Sequence, residues 1–581
     1  MIKHKETEVV IVGSGWTGGI VAAELAKKGI PTVMLERGHF RDTSDWQHRD
    51  ELRYAIRGDV LQDYGKETMT LRHHQKERAL PIRYIGNWHP GTDLGGASVH
   101  WAGQTWRFTD HDFKIRSSTI ARYGANKIPK DMSIQDWGID AAALEPYYTK
   151  FEATAGISGK AGNIKGKKIP GGNVFESPRS GEYPVKPMPT AHAMQIFDEA
   201  AGKLGYHVFP GPSATLPVPY KNPDGVVRAS CAYCGYCANY GCETGAKASS
   251  VVTVLPVAMR SKHFELRTEA NVFQVMHDGK KATGVRYYDA AGEVHEQPAH
   301  IVVLGAFMFN NVRLLLLSKM GKPYNPKTGK GAVGRNFAYQ SSAGASGWMN
   351  ERLNKWIGAG ALASSIDDFY GDNFDHKDLN FIGGGNISTG ASGEAPIQSA
   401  GVRPGAPAWG SGWKKAMKED FDKSISAGAQ LEVVAYNWRY VDLDPTYRDL
   451  NGNPLLRVTF DWAANERNMA AYLATKCQAI VQAMGAKDIV ASGVLAPHFD
   501  TVPYQSTHVT GGAMMGPHPE TSVVNNWLQM WDFPNTFVVG ACSFPQNGGK
   551  NPTGTVGALA YRLADGLINH YRNRPGHLIN A

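Results

Sequence analysis

Val9-Val10-Ile11-Val12-Gly13-Ser14-Gly15-Trp16-Thr17-Gly18 is a short apolar run followed at once by a G-x-G-x-x-G loop. Four aliphatic residues in a row predict a strand buried on both faces. The Ala-rich stretch from Ile20 to Lys28 predicts a helix that stops at Gly29, and Thr32 to Leu35 a second strand ending at Glu36. In this pattern Gly13 permits the tight turn, Gly15 lets the backbone approach a pyrophosphate, and Gly18 allows close helix–strand packing. The helix start then offers N–H groups and a positive dipole end to phosphate. Glu36, 21 residues past Gly15, is placed to accept from a ribose hydroxyl and to repel the extra phosphate of NADP. The expected class is α/β with a Rossmann-like domain. The motif by itself leaves NAD and FAD open.

The rest of the chain must hold more than this unit. With 581 residues it is too long for one core, so two domains with interleaved segments are expected. A composition of 42% hydrophobic and 20% charged residues is that of an ordinary globular enzyme. The net charge of +8 is spread without a basic block, which argues against a nucleic-acid groove and leaves an acidic partner or anionic substrate open. No stretch approaches the roughly 20 apolar residues of a membrane span, and no secretory signal opens the chain. The expected location is the cytoplasm, or the periplasm or membrane surface if a partner subunit supplies export.

Cys231-Ala-Tyr-Cys234-Gly-Tyr-Cys237-Ala-Asn-Tyr-Gly-Cys242 gathers four of the six cysteines into C-x2-C-x2-C-x4-C. Thiolates two residues apart can converge on one centre from a single loop, which suits an iron–sulfur cluster. Structural zinc usually takes two pairs set further apart. Disulfides need an oxidising compartment. Both alternatives stay open at this point.

Further stretches, in order, resemble the glucose–methanol–choline (GMC) family of FAD oxidoreductases. Gly95-Gly96-Ala97-Ser98-Val99-His100-Trp101 resembles the family's loop over the flavin, and its His-Trp pair is similar to that of pyranose oxidase. Ile301 to Phe307 with Leu314 to Leu316, and Val333 to Phe337, resemble two more of its elements. Phe537 to Ala541 and Asn551-Pro552-Thr553-Gly554-Thr555 resemble its C-terminal flavin segment. The likeness spans the whole chain and is strongest to flavin subunits of bacterial sugar and sugar-acid dehydrogenase complexes. It implies an FAD-binding domain from 1–132, 219–339 and 499–581, with the cysteine loop at 231–242. An α+β substrate-binding domain from 133–218 and 340–498 is interleaved with it.

The resemblance also implies site residues. FAD contacts fall on Gly13, Gly15, Gly18, Glu36, Gly95, Gly96, Ser98, His100, Gly540, Ala541, Asn551 and Thr553. His100 either packs beside the flavin or joins it covalently at the 8α-methyl. Ser506-Thr507-His508-Val509-Thr510-Gly511-Gly512 resembles the segment with the catalytic imidazole, so His508 is the expected base and Asn551 its partner on the substrate hydroxyl. A neutral imidazole suits that task near physiological pH. The resembling dehydrogenases hold a three-iron cluster, which favours Cys231, Cys237 and Cys242 as ligands over Cys234, with a four-iron cluster as the other form. The expected activity is dehydrogenation of a sugar, sugar acid or glycoside. Electrons would leave through the cluster to a haem-c or other acceptor subunit, with a small helper subunit alongside. The alternatives are an oxygen-reducing sugar oxidase and a flavin-fold scaffold without chemistry.

Overall fold

A computed structural model describes the chain apart from residues 48–49, 66, 84–87, 89, 391–394, 399, 503–505 and 579–581. Its first layer grows from the opening motif. Thr7–Val12 runs parallel to Thr32–Leu35 on one side and to the end of Val294–Leu304 on the other, with Val9 opposite Thr32 and Ile301 opposite Val9. Phe264–Arg267 and Thr536–Val538 extend this parallel sheet at its two edges. Val9, Val10 and Ile11 are fully buried, each contributing roughly 1.5–3 kcal/mol by leaving water. The long strand Val294–Leu304 changes partner midway. Its first half closes an antiparallel meander with Ala282–Tyr288 and Asn271–His277.

Helix Trp16–Lys27 follows the glycine loop, and the C-terminal helix Thr553–Asp565 packs against it. Helix Ala141–Ala155, which falls in the segments assigned above to the substrate-binding domain, packs on Thr553–Asp565 and joins this first core. The reason is its apolar face: Leu144, Tyr148 and Phe151 recur at helical spacing, and Phe151 lies so close to Gly557 that an added Cβ would meet its ring at 2.3 Å.

The second unit is a six-stranded antiparallel sheet in the order Lys487–Ser492, Ser341–Trp348, Ser424–Leu431, Gly385–Gly390, Ala363–Ile366, Val208–Pro210. Alternation sets its faces. Ile425, Ala427, Ala429 and Leu431 are buried, and they share a core with Met469, Leu473 and Ile480 of helix Ala464–Ala483. Helix His192–Lys203 covers the same side. A smaller sheet pairs Pro454–Thr459 with both Tyr440–Arg448 and Thr70–Arg72, so it straddles the two sets of segments. Among the described residues no helix is long and apolar enough to cross a membrane.

Candidate active site

The glycine loop and the elements around it form one long cleft. It is walled by Val12 to Thr17, Leu35 to Arg37, Gly96 to Ser98, Ala270 to Phe273, Gly305 to Met308, Gly540, Ala541, Pro552 and Thr553. Gly15 caps helix Trp16–Lys27 and lines the cleft, where a Cβ would meet only Gly95 O at 3.8 Å. At Gly18 a Cβ would fall 1.9 Å from Gly13 O. The first position is therefore open for a ligand, and the second is shut by packing. Glu36 lines the cleft and accepts from Ser14 N (2.9 Å), Ser14 Oγ (2.6 Å) and Gly38 N (3.0 Å). Ser14 Oγ accepts in turn from Gly95 N at 2.8 Å, which joins the two glycine loops. Ser98 Oγ donates to Gly95 O and accepts from Ser250 N. Thr553 opens the C-terminal helix, so that helix also turns its N-terminal N–H groups to the cleft.

His508 and Asn551 meet beyond Thr507, Pro552 and Thr553 of the cleft wall. Asn551 Nδ2 lies 3.3 Å from His508 Nε2. Trp106 Nε1 donates to Asn551 Oδ1 at 3.0 Å. An indole N–H only donates, so this bond turns the amide N–H group toward the imidazole. Nε2 must then present its lone pair, and Nδ1 carries the proton toward Gln340 Oε1, which it touches. Asn547 holds the backbone behind, its Nδ2 donating to His508 O (2.5 Å) and Tyr339 O (2.8 Å). Sequence reasoning missed Trp106, Gln340 and Asn547, because no motif spacing marks them.

A buried charge network underlies the pair. Lys550, next to Asn551, is 1% exposed and pairs with Asp367 at 2.7 Å. Asp367 also accepts from Asn173 and Asn386. The Lys550 ammonium stacks 4.0 Å from the Tyr370 ring, and Tyr370 OH donates to Asp112. His111 faces Asp372 (3.2 Å) and Glu432 (3.5 Å). Burial opposes its charge, yet the Glu432 and Asp372 carboxylates hold the imidazole well above its usual value.

Asp93 precedes the second glycine loop, with Arg41 at 3.3 Å. Burial outweighs that cation and pushes its carboxyl up to about 6.

His100 is buried, and its carbonyl accepts from Asn239 N at 2.7 Å, so the flavin-side loop is bonded directly to the cysteine loop. Cys231, Cys234, Cys237 and Cys242 line one small cavity with Trp46, Tyr240 and Lys247. None forms a disulfide. Cys231 Sγ accepts from Tyr233 N (3.3 Å), Cys237 Sγ from Gly360 N (3.1 Å) and Cys242 Sγ from Lys247 N (3.5 Å). Cys234 instead pairs its backbone with Gly358.

A Rossmann-type sheet with a dinucleotide cleft, joined to an antiparallel second unit, places the protein among dinucleotide-dependent oxidoreductases. The chain belongs to the GMC oxidoreductase family, which it matches over residues 144–341 and 440–560. It is therefore an FAD-dependent oxidoreductase acting on CH–OH groups. It is 44% identical to a gluconate 2-dehydrogenase flavoprotein of Pantoea cypripedii, over 99% of this chain and 96% of that one. It is 26% identical to a fructose dehydrogenase large subunit of Gluconobacter japonicus, over 97% and 98% of the two chains. Pyridoxine 4-oxidase from Mesorbium loti shares the fold, with a TM-score of 0.58 at 15% identity over 97% of this chain and all of that one.

Proposed function

We propose that the protein is a dehydrogenase of a sugar or sugar acid, with an aldonate such as gluconate as the first candidate. The fixed lone pair on His508 Nε2, 3.3 Å from the Asn551 amide, carries this reading. FAD bound in the cleft supplies a hydride acceptor at N5. The substrate hydroxyl accepts from Asn551 Nδ2–H and donates its proton to His508 Nε2, a positioned general base of the kind worth 10²–10⁴-fold. Gln340 keeps the imidazole in the required tautomer, and Trp106 keeps the amide from turning over. Gly13, Gly15, Glu36, Gly96, Ser98, Gly540, Ala541 and Thr553 line the FAD site in this reading, while Gly18 packs the loop against Gly13 and Gly95 bonds Ser14 behind it. Asn551 faces His508 and touches the substrate. His100 is the candidate for a covalent flavin link, read by whether colour stays with the acid-precipitated chain.

The cysteine loop fits an iron–sulfur centre. All four cysteines line one small cavity. The N–H···S bonds reach Cys231, Cys237 and Cys242, the three favoured ligands. Such a centre supplies one-electron transfer toward a partner acceptor subunit, which favours a dehydrogenase over an oxidase.

The test is anaerobic flavin bleaching against a panel of sugars and sugar acids, followed by turnover with a dye or with oxygen alone. Bleaching by a sugar acid with little peroxide is expected. Bleaching by none of the panel, or His508→Ala turning over at the parent rate, overturns the reading. Iron and labile sulfide analysis tests the cluster separately.

A further inference from the structure

Lys247 sits between the two loops that matter for redox chemistry. Its Nζ donates to the carbonyls of Trp101 (2.7 Å), Cys237 (2.6 Å) and Tyr240 (2.9 Å), which uses all three of its N–H groups. Trp101 lines the flavin cleft, and Cys237 and Tyr240 belong to the cysteine loop. A second cation, Arg228, donates to the carbonyls of Ala155, Gly245 and Ala246. Both side chains are buried, Lys247 at 2% and Arg228 at 4% exposure.

Among the described residues neither cation is paired with a carboxylate, although buried cations elsewhere in the molecule, Lys550 and Arg439, both are. A buried charge without a counter-ion is strongly disfavoured. Lys247 lines the cysteine cavity and bonds the Cys237 carbonyl, and Arg228 bonds the Gly245 and Ala246 carbonyls just past Cys242. A thiol is neutral, whereas metal-bound thiolates are anions. An anionic occupant of the cysteine cavity would balance both cations.

We propose that Lys247 and Arg228 form the electrostatic shell of the cysteine centre. They offset part of the negative charge of a thiolate-held cluster and raise its reduction potential, and Lys247 also fixes the spacing of the cysteine loop from the flavin loop. The proposal rests on the iron–sulfur reading above. Its physical basis is that a nearby cation stabilises the form carrying the extra electron, and cluster potentials follow net charge and hydrogen bonding at the sulfurs.

The test uses the purified holoenzyme and the variants Lys247→Gln, which keeps donors for the carbonyls without the charge, and Arg228→Gln. Iron, labile sulfide and FAD are quantified, and the cluster potential is measured by EPR-monitored titration. In variants that load iron, the potential should fall by at least 59 mV, the tenfold equilibrium change of a one-electron couple. Anaerobic flavin bleaching by substrate should stay within twofold of the parent, while turnover with a one-electron acceptor drops tenfold or more. Variants that keep FAD and the parent melting temperature but bind no iron also support the shell, through its role in holding the anion. An iron-loaded variant of each kind at the parent potential overturns it. A parent enzyme free of iron and sulfide removes the cluster reading itself, and the shell with it.

Discussion

The indole Nε1–H of Trp106 donates to Oδ1 of Asn551 across 3.0 Å, and this bond decides which end of the amide faces His508. Trp106→Phe removes the donor and keeps a ring. The amide is then free to turn over and present its oxygen to a lone pair. We expect kcat to fall by about tenfold, in line with roughly 1.4 kcal/mol for one lost hydrogen bond, with FAD content unchanged. Gln340→Leu should also lower kcat, and Gln340→Glu should move the acid limb of kcat/KM to higher pH, because a carboxylate at Nδ1 favours the imidazolium. An unshifted limb in Gln340→Glu would detach Gln340 from the base.

Gly15 and Gly18 occupy the same loop yet should fail differently. A Cβ at Gly15 projects into the cleft, near nothing closer than Gly95 O at 3.8 Å, whereas at Gly18 it would meet Gly13 O at 1.9 Å. Gly15→Ala should fold with a near-parent melting temperature and lose most of its FAD. Gly18→Ala should lose soluble protein, because backbone must move to admit the methyl. Flavin content and thermal melts separate the two.

Lys550→Met leaves Asp367 buried without its cation. Removing one partner of a buried pair costs about 3–5 kcal/mol, so a large drop in melting temperature is expected. Asp367→Asn in the same chain removes the orphaned charge while keeping an oxygen that can accept from one of the two donors, Asn173 or Asn386. The double variant should recover much of the loss. Equal melting temperatures for the single and double variants would mean that the pair is not coupled.

Asp93 should act against stability at neutral pH. Folding raises its carboxyl from 3.8 to about 6, so the folded state binds the proton more tightly than the unfolded chain. Its contribution is full below about pH 4 and is lost as the pH rises through 6. Asp93→Asn should therefore melt higher than the parent at pH 7, by up to about 3 kcal/mol in unfolding free energy. The gain should vanish near pH 3.5. Melts across that range check the sign.

What lies within about thirty residues of chain could be read directly from the order of its amino acids. The apolar run at Val9, the glycine loop, helix Trp16–Lys27 and Glu36 were legible because backbone turns, caps and periodic burial are local properties. The cysteine cluster was legible for the same reason, since one loop holds all four sulfurs. Resemblance supplied His508 and Asn551 as candidates without saying how they face each other.

Their partners come from folding, which brings distant segments together. Trp106 reaches Asn551 across 445 residues, Gln340 reaches His508 across 168, Lys550 reaches Asp367 across 183, and Lys247 reaches Trp101 across 146. Tryptophan, glutamine and lysine at these positions have no spacing that marks them. Their roles come from the side chain met in the folded core, and that meeting is fixed by packing of segments far apart in the chain. Helix Ala141–Ala155 makes the same point at the level of domains. Its segment suggested one unit, but the apolar face of Leu144, Tyr148 and Phe151 buries itself in the other.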